Sequence, residues 1–139
     1  MTSKAVGFTF MLTRVLYGDG KNFWFVIDEG EERKSQIYKF IVALTPDEWK
    51  KIVRVLDAIN TKPMTYMHQE KFKQLEGKIW EIKQREIRIA CYWQIRGELL
   101  VGVYGLRKKA NKWSKNEIDN ARGWYNFYKE KDFRGAING

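Results

Sequence analysis

The sequence predicts an α+β fold: a small twisted antiparallel sheet, two helices before a three-stranded meander, one helix after it, and an N-terminal β-hairpin extension. Three observations predict it. Two segments, beginning at Thr45 and Ser114, open with a capping box and continue with apolar residues at helical spacing. Between Trp80 and Leu106, three segments of alternating pattern follow one another closely, with turn residues between them. Strands and helices do not alternate one for one, which favours helices packed on one face of an antiparallel sheet.

Taken in order, Val6–Tyr17 and Phe23–Asp28 flank Gly18-Asp19-Gly20-Lys21-Asn22, a loop of turn formers, and read as a hairpin. Ile37, Phe40, Ile41 and Leu44 suggest a short helix over Glu32–Leu44. Thr45 can cap the next helix, Pro46 suits its first position, and Glu48 closes the capping box. Trp49, Ile52, Val53, Leu56 and Ile59 then form one stripe, and Pro63 ends the run. The meander comprises Trp80–Gln84, Ile87–Ile95 and Glu98–Leu106, with a tight turn at Arg96-Gly97. Leu99–Val103 is apolar on both faces, as a central strand requires. Ser114 and Glu117 box the start of the last helix, whose stripe is Ile118, Ala121, Trp124, Tyr125 and Tyr128. Residues 1–139 read as one domain, with 1–22 as the extra hairpin segment and 133–139 as a frayed tail.

Composition narrows the function. The 139 residues hold 26 Lys and Arg against 17 Asp and Glu, a net charge of +9. One cysteine, Cys91, excludes an internal disulfide and a Cys-based zinc cluster, and one histidine, His68, speaks against a His-rich metal site. His68 reads as a solvent-facing loop residue, and no metal or cofactor is expected. No apolar run reaches the ~18–20 residues that span a bilayer. Arg14 interrupts the apolar stretch from Val6 to Leu16, so the N-terminus is not a secretory signal. The expectation is a soluble cytoplasmic protein without a membrane partner. Lys71–Lys115 contains twelve cations and four anions, so this third of the chain carries +8 of the +9. Such a block attracts polyanions, of which nucleic acid is the commonest.

Alternation sorts the meander. Trp80 and Ile82 share one face, and Ile87, Ile89, Cys91, Trp93 and Ile95 share a face on the next strand. Glu81 and Lys83, and Arg88, Ala90, Tyr92 and Gln94, take the opposite ones. If the apolar face packs on the helices, Lys83, Arg88 and Tyr92 stand on an open sheet face, next to Arg107-Lys108-Lys109. Glu81 could serve as a general base or pair with Lys83 or Arg107. Cys91 falls on the apolar face and reads as a buried thiol. Trp49, Trp80, Trp93 and Trp124 fit core packing, whereas Trp113 could be a contact residue. Cations and a tyrosine suit RNA: its 2′-hydroxyl is a built-in nucleophile, so cleavage needs alignment, a proton acceptor and charge on the developing pentavalent phosphate. Arg fits phosphate oxygens bidentately, and an aromatic ring can stack a base. The same surface would also suit simple RNA or DNA binding.

Four stretches, in order, resemble the RelE/ParE toxin superfamily, in particular its HigB-like, phage-derived branch. They are Leu75-Glu76-Gly77-Lys78-Ile79-Trp80-Glu81-Ile82-Lys83, Ile87-Arg88-Ile89-Ala90-Cys91-Tyr92, Val101-Gly102-Val103-Tyr104-Gly105-Leu106-Arg107-Lys108-Lys109, and Lys112-Trp113-Ser114-Lys115-Asn116-Glu117-Ile118-Asp119-Asn120-Ala121. The likeness covers roughly Phe23–Lys129. It implies a RelE-like fold and the toxin of a type II toxin–antitoxin system, mostly metal-independent endoribonucleases that cut mRNA in the 30S A site of the ribosome. The catalytic set it implies is Arg88, Lys108, Lys83 and Tyr104, and the RNA-binding set is Arg85, Tyr92, Arg107, Lys109 and Lys112. Attack of the 2′-hydroxyl would leave a 2′,3′-cyclic phosphate. Two relatives' functions are alternatives: inhibition of DNA gyrase, as in the ParE type, and non-catalytic nucleic-acid binding by a phage-derived protein. Expected partners are mRNA, the ribosome and a cognate antitoxin, acidic or with a helix-turn-helix domain. The N-terminal hairpin leaves a homodimer open. Many relatives carry histidine and phenylalanine where this chain has Tyr104-Gly105-Leu106, and a proline where it has Ser114. The general base is thereby left among Tyr104, Lys83, Glu81 or none.

Overall fold

The computed structural model describes residues 12–18, 22–62 and 69–137. The expected strand residues Val6–Met11, the tip of the first loop, Pro63 and His68 lie outside the described residues.

The α+β expectation holds. Strand β1 (Thr13–Tyr17) pairs antiparallel with β2 (Trp24–Asp28), which is the predicted hairpin in its described part. The predicted Glu32–Leu44 helix is divided. A 3-10 turn at Glu31–Arg33, with Glu32 and Arg33 at positive φ, precedes α1 (Gln36–Val42), which begins only where the Ser35 side chain caps it. Helix α2 (Pro46–Thr61) and the last helix, α3 (Lys115–Tyr128), open with both halves of their capping boxes formed. Strands β3 (Phe72–Glu76), β4 (Ile79–Gln84), β5 (Ile87–Ile95) and β6 (Leu99–Arg107) complete the chain. The short edge strand β3 adds a fourth member to the expected meander.

The six strands run β1-β2-β6-β5-β4-β3, all antiparallel except the β2–β6 pair. Helices α1 and α2 must therefore cross from β2, near the middle, to β3 at the far edge, and the meander returns to place β6 beside β2. This parallel contact is buried on both faces: Phe25, Val26 and Ile27 of β2 and Leu99–Val101 of β6 have no appreciable exposure. Gly105 of β6 lets α1 approach, since a Cβ there would sit 2.2 Å from the Phe40 ring. Gln36 then hydrogen-bonds both backbone groups of Gly105, at 2.6 and 3.0 Å.

One expectation is overturned. Helices cover both faces of the sheet, not one. Beneath α1 and α2 lie Phe25, Ile27, Ile82, Ile89, Cys91 and Leu100, with Ile52, Leu56 and Ile59 from α2. On the other face, Val26, Ala90, Tyr92, Val101 and Val103 pack with Trp113 and with Ala121 and Tyr128 of α3. The tail is also tied down through Ile137. Phe133 is fully buried, its N–H donates to Gln94 Oε1 at 2.7 Å, and a 3-10 turn follows at Arg134–Ala136.

Candidate nucleic-acid interface

The β4–β5 register sets Lys83 opposite Arg88 and Glu81 opposite Ala90, all on the α3 side. That sidedness follows from alternation, as expected. The open surface does not. The loop 108–113 folds over this end of the sheet, and α3 covers the remainder, leaving Lys83 8%, Arg88 1%, Tyr92 5% and Glu81 0% exposed. The physical reason is Trp113. Its ring is buried with the α3-side cluster, and its Nε1–H donates to Glu81 Oε2 at 2.5 Å. An indole offers apolar surface and one donor, so it can roof a face that carries a carboxylate.

Each buried charge is fastened to the roof or to a turn. Arg88 donates through one terminal nitrogen to the carbonyls of Arg85 and Ile87, and through the other to Ala110 O at 3.2 Å. Arg85 is the left-handed residue of the β4–β5 turn, at φ 55°, so the guanidinium braces a backbone conformation that costs a non-glycine residue about 1–2 kcal/mol. The Arg88 Nε lies 3.6 Å from Glu81 Oε2, an ion pair without a hydrogen bond. Glu81 pairs with Arg88 and Trp113, not with Lys83 or Arg107. Lys83 Nζ donates to Asn111 Oδ1 at 2.7 Å and faces Glu70 at 3.4 Å. Lys108 Nζ donates to Lys112 O at 2.6 Å and to Glu117 Oε1 at 2.5 Å, and this contact holds the Glu117 carboxyl below its usual range.

The predicted residues therefore divide. Lys83, Arg88 and Lys108 gather under or beside the loop, with Lys109 and Lys112 exposed on it. Tyr104 is half-buried, its ring 6.4 Å from that of Trp113. Arg107 leaves the group: it forms a two-pronged ion pair with Glu48 of α2, at 2.8 and 2.7 Å, which holds Glu48 down at about 2. Arg85 is exposed at the turn. Tyr92 is corrected from an RNA-stacking residue to a core one, since its hydroxyl donates to Tyr128 O at 3.2 Å. Burial, and next the neighbouring Tyr125, push its pKa up, so it does not shuttle protons near neutral pH. Cys91 is buried as expected, its thiol pKa raised by burial and then by Glu81.

Trp113 and Asn111 are functional candidates that residue patterning missed or left undecided. A Trp between a lysine run and a helix cap was the available signal for Trp113. Asn111 carried none. What the arrangement offers chemically is two partly accessible ammonium groups, Lys83 and Lys108, whose side chains are each 11% exposed and held by neutral or anionic acceptors that a phosphate could replace. Among the described residues no three His, Cys, Asp or Glu side chains gather as a metal site, and no helix is long and apolar enough to cross a membrane.

No curated protein matches the chain. Residues 39–126 match the model of the phage-derived Gp49-like proteins. The match starts in α1, takes in β3 to β6 with Lys83, Arg88 and Lys108, and ends within α3, leaving out β1 and β2. It covers more than half of the sequence, and the chain belongs to the Gp49-like family of phage-derived proteins.

Proposed function

We propose that the protein is the toxin of a type II toxin–antitoxin system, a HigB-like member of the RelE/ParE superfamily that cuts mRNA in the ribosomal A site without a metal. The Gp49-like family is known in toxin–antitoxin contexts, which supports the toxin reading. The observation that carries the RNA reading is the convergence of Lys83, Lys108, Lys109 and Lys112 at one end of the sheet, around a single loop. Polyanion binding draws on exactly such clustered ammonium groups.

In this mechanism the RNA 2′-oxygen attacks the adjacent phosphorus as its proton leaves. The bond to the 5′-oxygen breaks, that oxygen takes up a proton, and the products are a 2′,3′-cyclic phosphate and a 5′-hydroxyl end. Lys83 and Lys108 release Asn111 and Glu117 and stabilise the charge that grows on the phosphate oxygens. Lys109 and Lys112 hold the backbone. Tyr104, half-buried on β6 with its ring beside that of Trp113, is the residue assigned to proton transfer. Arg88 is a positioning residue: it braces the Arg85 turn and the loop at Ala110, and contact with RNA would require that loop to lift. A cognate antitoxin, acidic or carrying a helix-turn-helix domain, covers the exposed lysines.

Induction of the gene in a bacterial host, followed by mapping of mRNA 5′ ends in ribosome-bound transcripts, tests this reading. In-frame cuts at A-site codons are expected. The Lys83→Ala/Lys108→Ala variant should stay folded and lose growth arrest. Intact messages accompanied by DNA-damage signalling would reject the proposal in favour of gyrase inhibition, and intact messages with salt-sensitive RNA binding would leave a non-catalytic binder.

A further inference from the structure

The outer face of α3, turned away from the sheet, carries a shallow recess of about 450 Å³ lined by Asp119, Asn120, Gly123, Trp124 and Phe127. Phe127 stands at one end of it and is 51% exposed, whereas Ile118, Ala121, Tyr125 and Tyr128 of the same helix pack with the α3-side cluster. Its ring is set in place. Trp124 lies edge-on to it at 5.8 Å and 90°, Tyr128 at 5.0 Å and 74°, and Lys131 Nζ sits 4.6 Å from its centroid. A ring held in this way loses little freedom when a partner covers it.

Gly123 comes one turn before Phe127 on the same face. Glycine in a helix interior destabilises relative to alanine, so it needs a reason. Close approach of a neighbour within the chain is not that reason. Among the described residues, a Cβ built on Gly123 meets nothing within 4 Å, unlike Gly105, where the Phe40 ring fills the place. The face therefore carries a raised ring and, four residues away, a gap. Charges bracket the two. Asp119, one turn before Gly123, shares Oδ1 with Arg122 at 2.8 Å and keeps 46% of its side chain exposed. Lys131, its ammonium over the Phe127 ring, ends the stripe on the other side.

We propose that this face is a dimer interface whose occupant is the same face of a second copy, the two α3 helices running antiparallel about a two-fold axis level with Tyr125. A two-fold contact requires a patch that is complementary to itself. Gly123 and Phe127 lie two residues either side of Tyr125, and Asp119 and Lys131 lie six either side. In this arrangement Phe127 of each copy fills the gap at Gly123 of the other, and Asp119 of each meets Lys131 of the other. Asp119 in the lining speaks against a polyanion as the occupant. One helix face is a small interface, below about 1,200 Å², so the dimer dissociates on dilution. Because α3 begins beside the loop 108–113, antiparallel pairing puts the two cationic loops at opposite ends and leaves them uncovered. The inference is independent of the reading that the protein cuts RNA.

Sedimentation velocity of the full chain over a concentration series reaching the millimolar range tests it, with thermal melts to confirm folding. A monomer–dimer equilibrium is expected. Phe127→Ala should weaken self-association about tenfold, as loss of a central aromatic anchor does. Gly123→Ala should raise the melting temperature of the monomer and still weaken the dimer, a split that helix propensity alone does not produce. Asp119→Lys and Lys131→Asp should each weaken self-association severalfold. Mixing these two variants should restore it, because both contacts of the mixed pair then join opposite charges. A chain that stays monomeric throughout the series overturns the proposal. So does a dimer that is indifferent to Phe127→Ala and gains nothing on mixing, which would put the contact on another surface.

Discussion

Strands β4 and β5 present two faces built in opposite ways from alternate residues. Toward α1 and α2 they offer Trp80, Ile82, Ile87, Ile89 and Cys91, a purely apolar set. Toward α3 they offer Glu81, Lys83, Arg88, Ala90 and Tyr92, of which three are charged and less than a tenth exposed. The first face stabilises by removing apolar surface from water. The second cannot be retained for that reason, because burying charges costs several kcal/mol per ion and their attraction roughly repays it. What the difference teaches lies in where the buried charges end: Arg88 on Ala110 O, Glu81 on the Trp113 N–H, Lys83 on Asn111 Oδ1. All three terminate on one loop, the loop that carries Lys108, Lys109 and Lys112. The apolar face holds the sheet together, and the polar face holds the cationic loop in register.

The largest effect should come from breaking that anchor. Arg88→Ala leaves Glu81 buried without its cation and should cost about 3–5 kcal/mol in urea denaturation. Ile82→Ala, its counterpart on the apolar face, should cost about 2–5 kcal/mol. The two variants should separate in where they fail. At equal overall stability, Arg88→Ala should expose the loop to trypsin at Lys109 and Lys112, and Ile82→Ala should not. Equal trypsin resistance of the loop in both would remove the distinction between the faces.

The same comparison explains what was legible in the sequence. Capping boxes at Thr45–Glu48 and Ser114–Glu117 are local and complete within four residues, so α2 and α3 could be placed to within a residue or so at their starts. Alternation likewise sorted the side chains of β4, and those of β5 as far as Trp93; Ile95, expected on the same face as Trp93, packs instead on the α3 side, because the β5–β6 register shifts between Trp93 and Ile95. Alternation reports which residues share a face and is silent on what covers that face, so Lys83, Arg88 and Tyr92 looked exposed by their chemistry alone. Cover came from Trp113 and α3, more than twenty residues away in sequence. The β2–β6 pairing is equally non-local, and its trace, the unbroken Phe23–Ile27 apolar run, fits any buried strand. Strand β3 was missed because Lys73, Gln74 and Glu76 give an edge strand little apolar signature.

A smaller effect tests one fastening alone. Trp113→Phe keeps the apolar roof and removes the N–H that reaches Glu81, a charge-assisted bond of about 1.5–3 kcal/mol. Stability should fall by about that amount, and the loop should become partly trypsin-sensitive. A loss no larger than that of Trp113→Phe in an already Glu81→Gln background would show that the bond to the carboxylate contributes nothing beyond ring packing.

The smallest effect concerns the far side of β6, where the Arg107–Glu48 pair joins sheet to α2 at the surface. The Glu48 carboxyl is held at about 2, chiefly by the Arg107 hydrogen bond and then by the Thr45 N–H, against an ordinary value near 4.5. A carboxylate whose pKa is lowered by folding binds fewer protons in the native state. Its contribution is present above the unfolded value and is lost as pH falls from about 4.5 toward 2. Glu48→Gln keeps an oxygen for the Thr45 N–H and removes the charge, so it should lower stability modestly at pH 7, change it little below about pH 2, and thereby flatten the acid side of the stability curve over that window. The polar anchors of the loop should be untouched, since Arg107 points away from them. A flattened acid limb with unchanged trypsin resistance at Lys109 and Lys112 would separate this surface pair from the buried one. Loss of that resistance in Glu48→Gln would instead mean that the two sides of β6 are coupled through Arg107 and Lys108, neighbours in sequence on opposite faces.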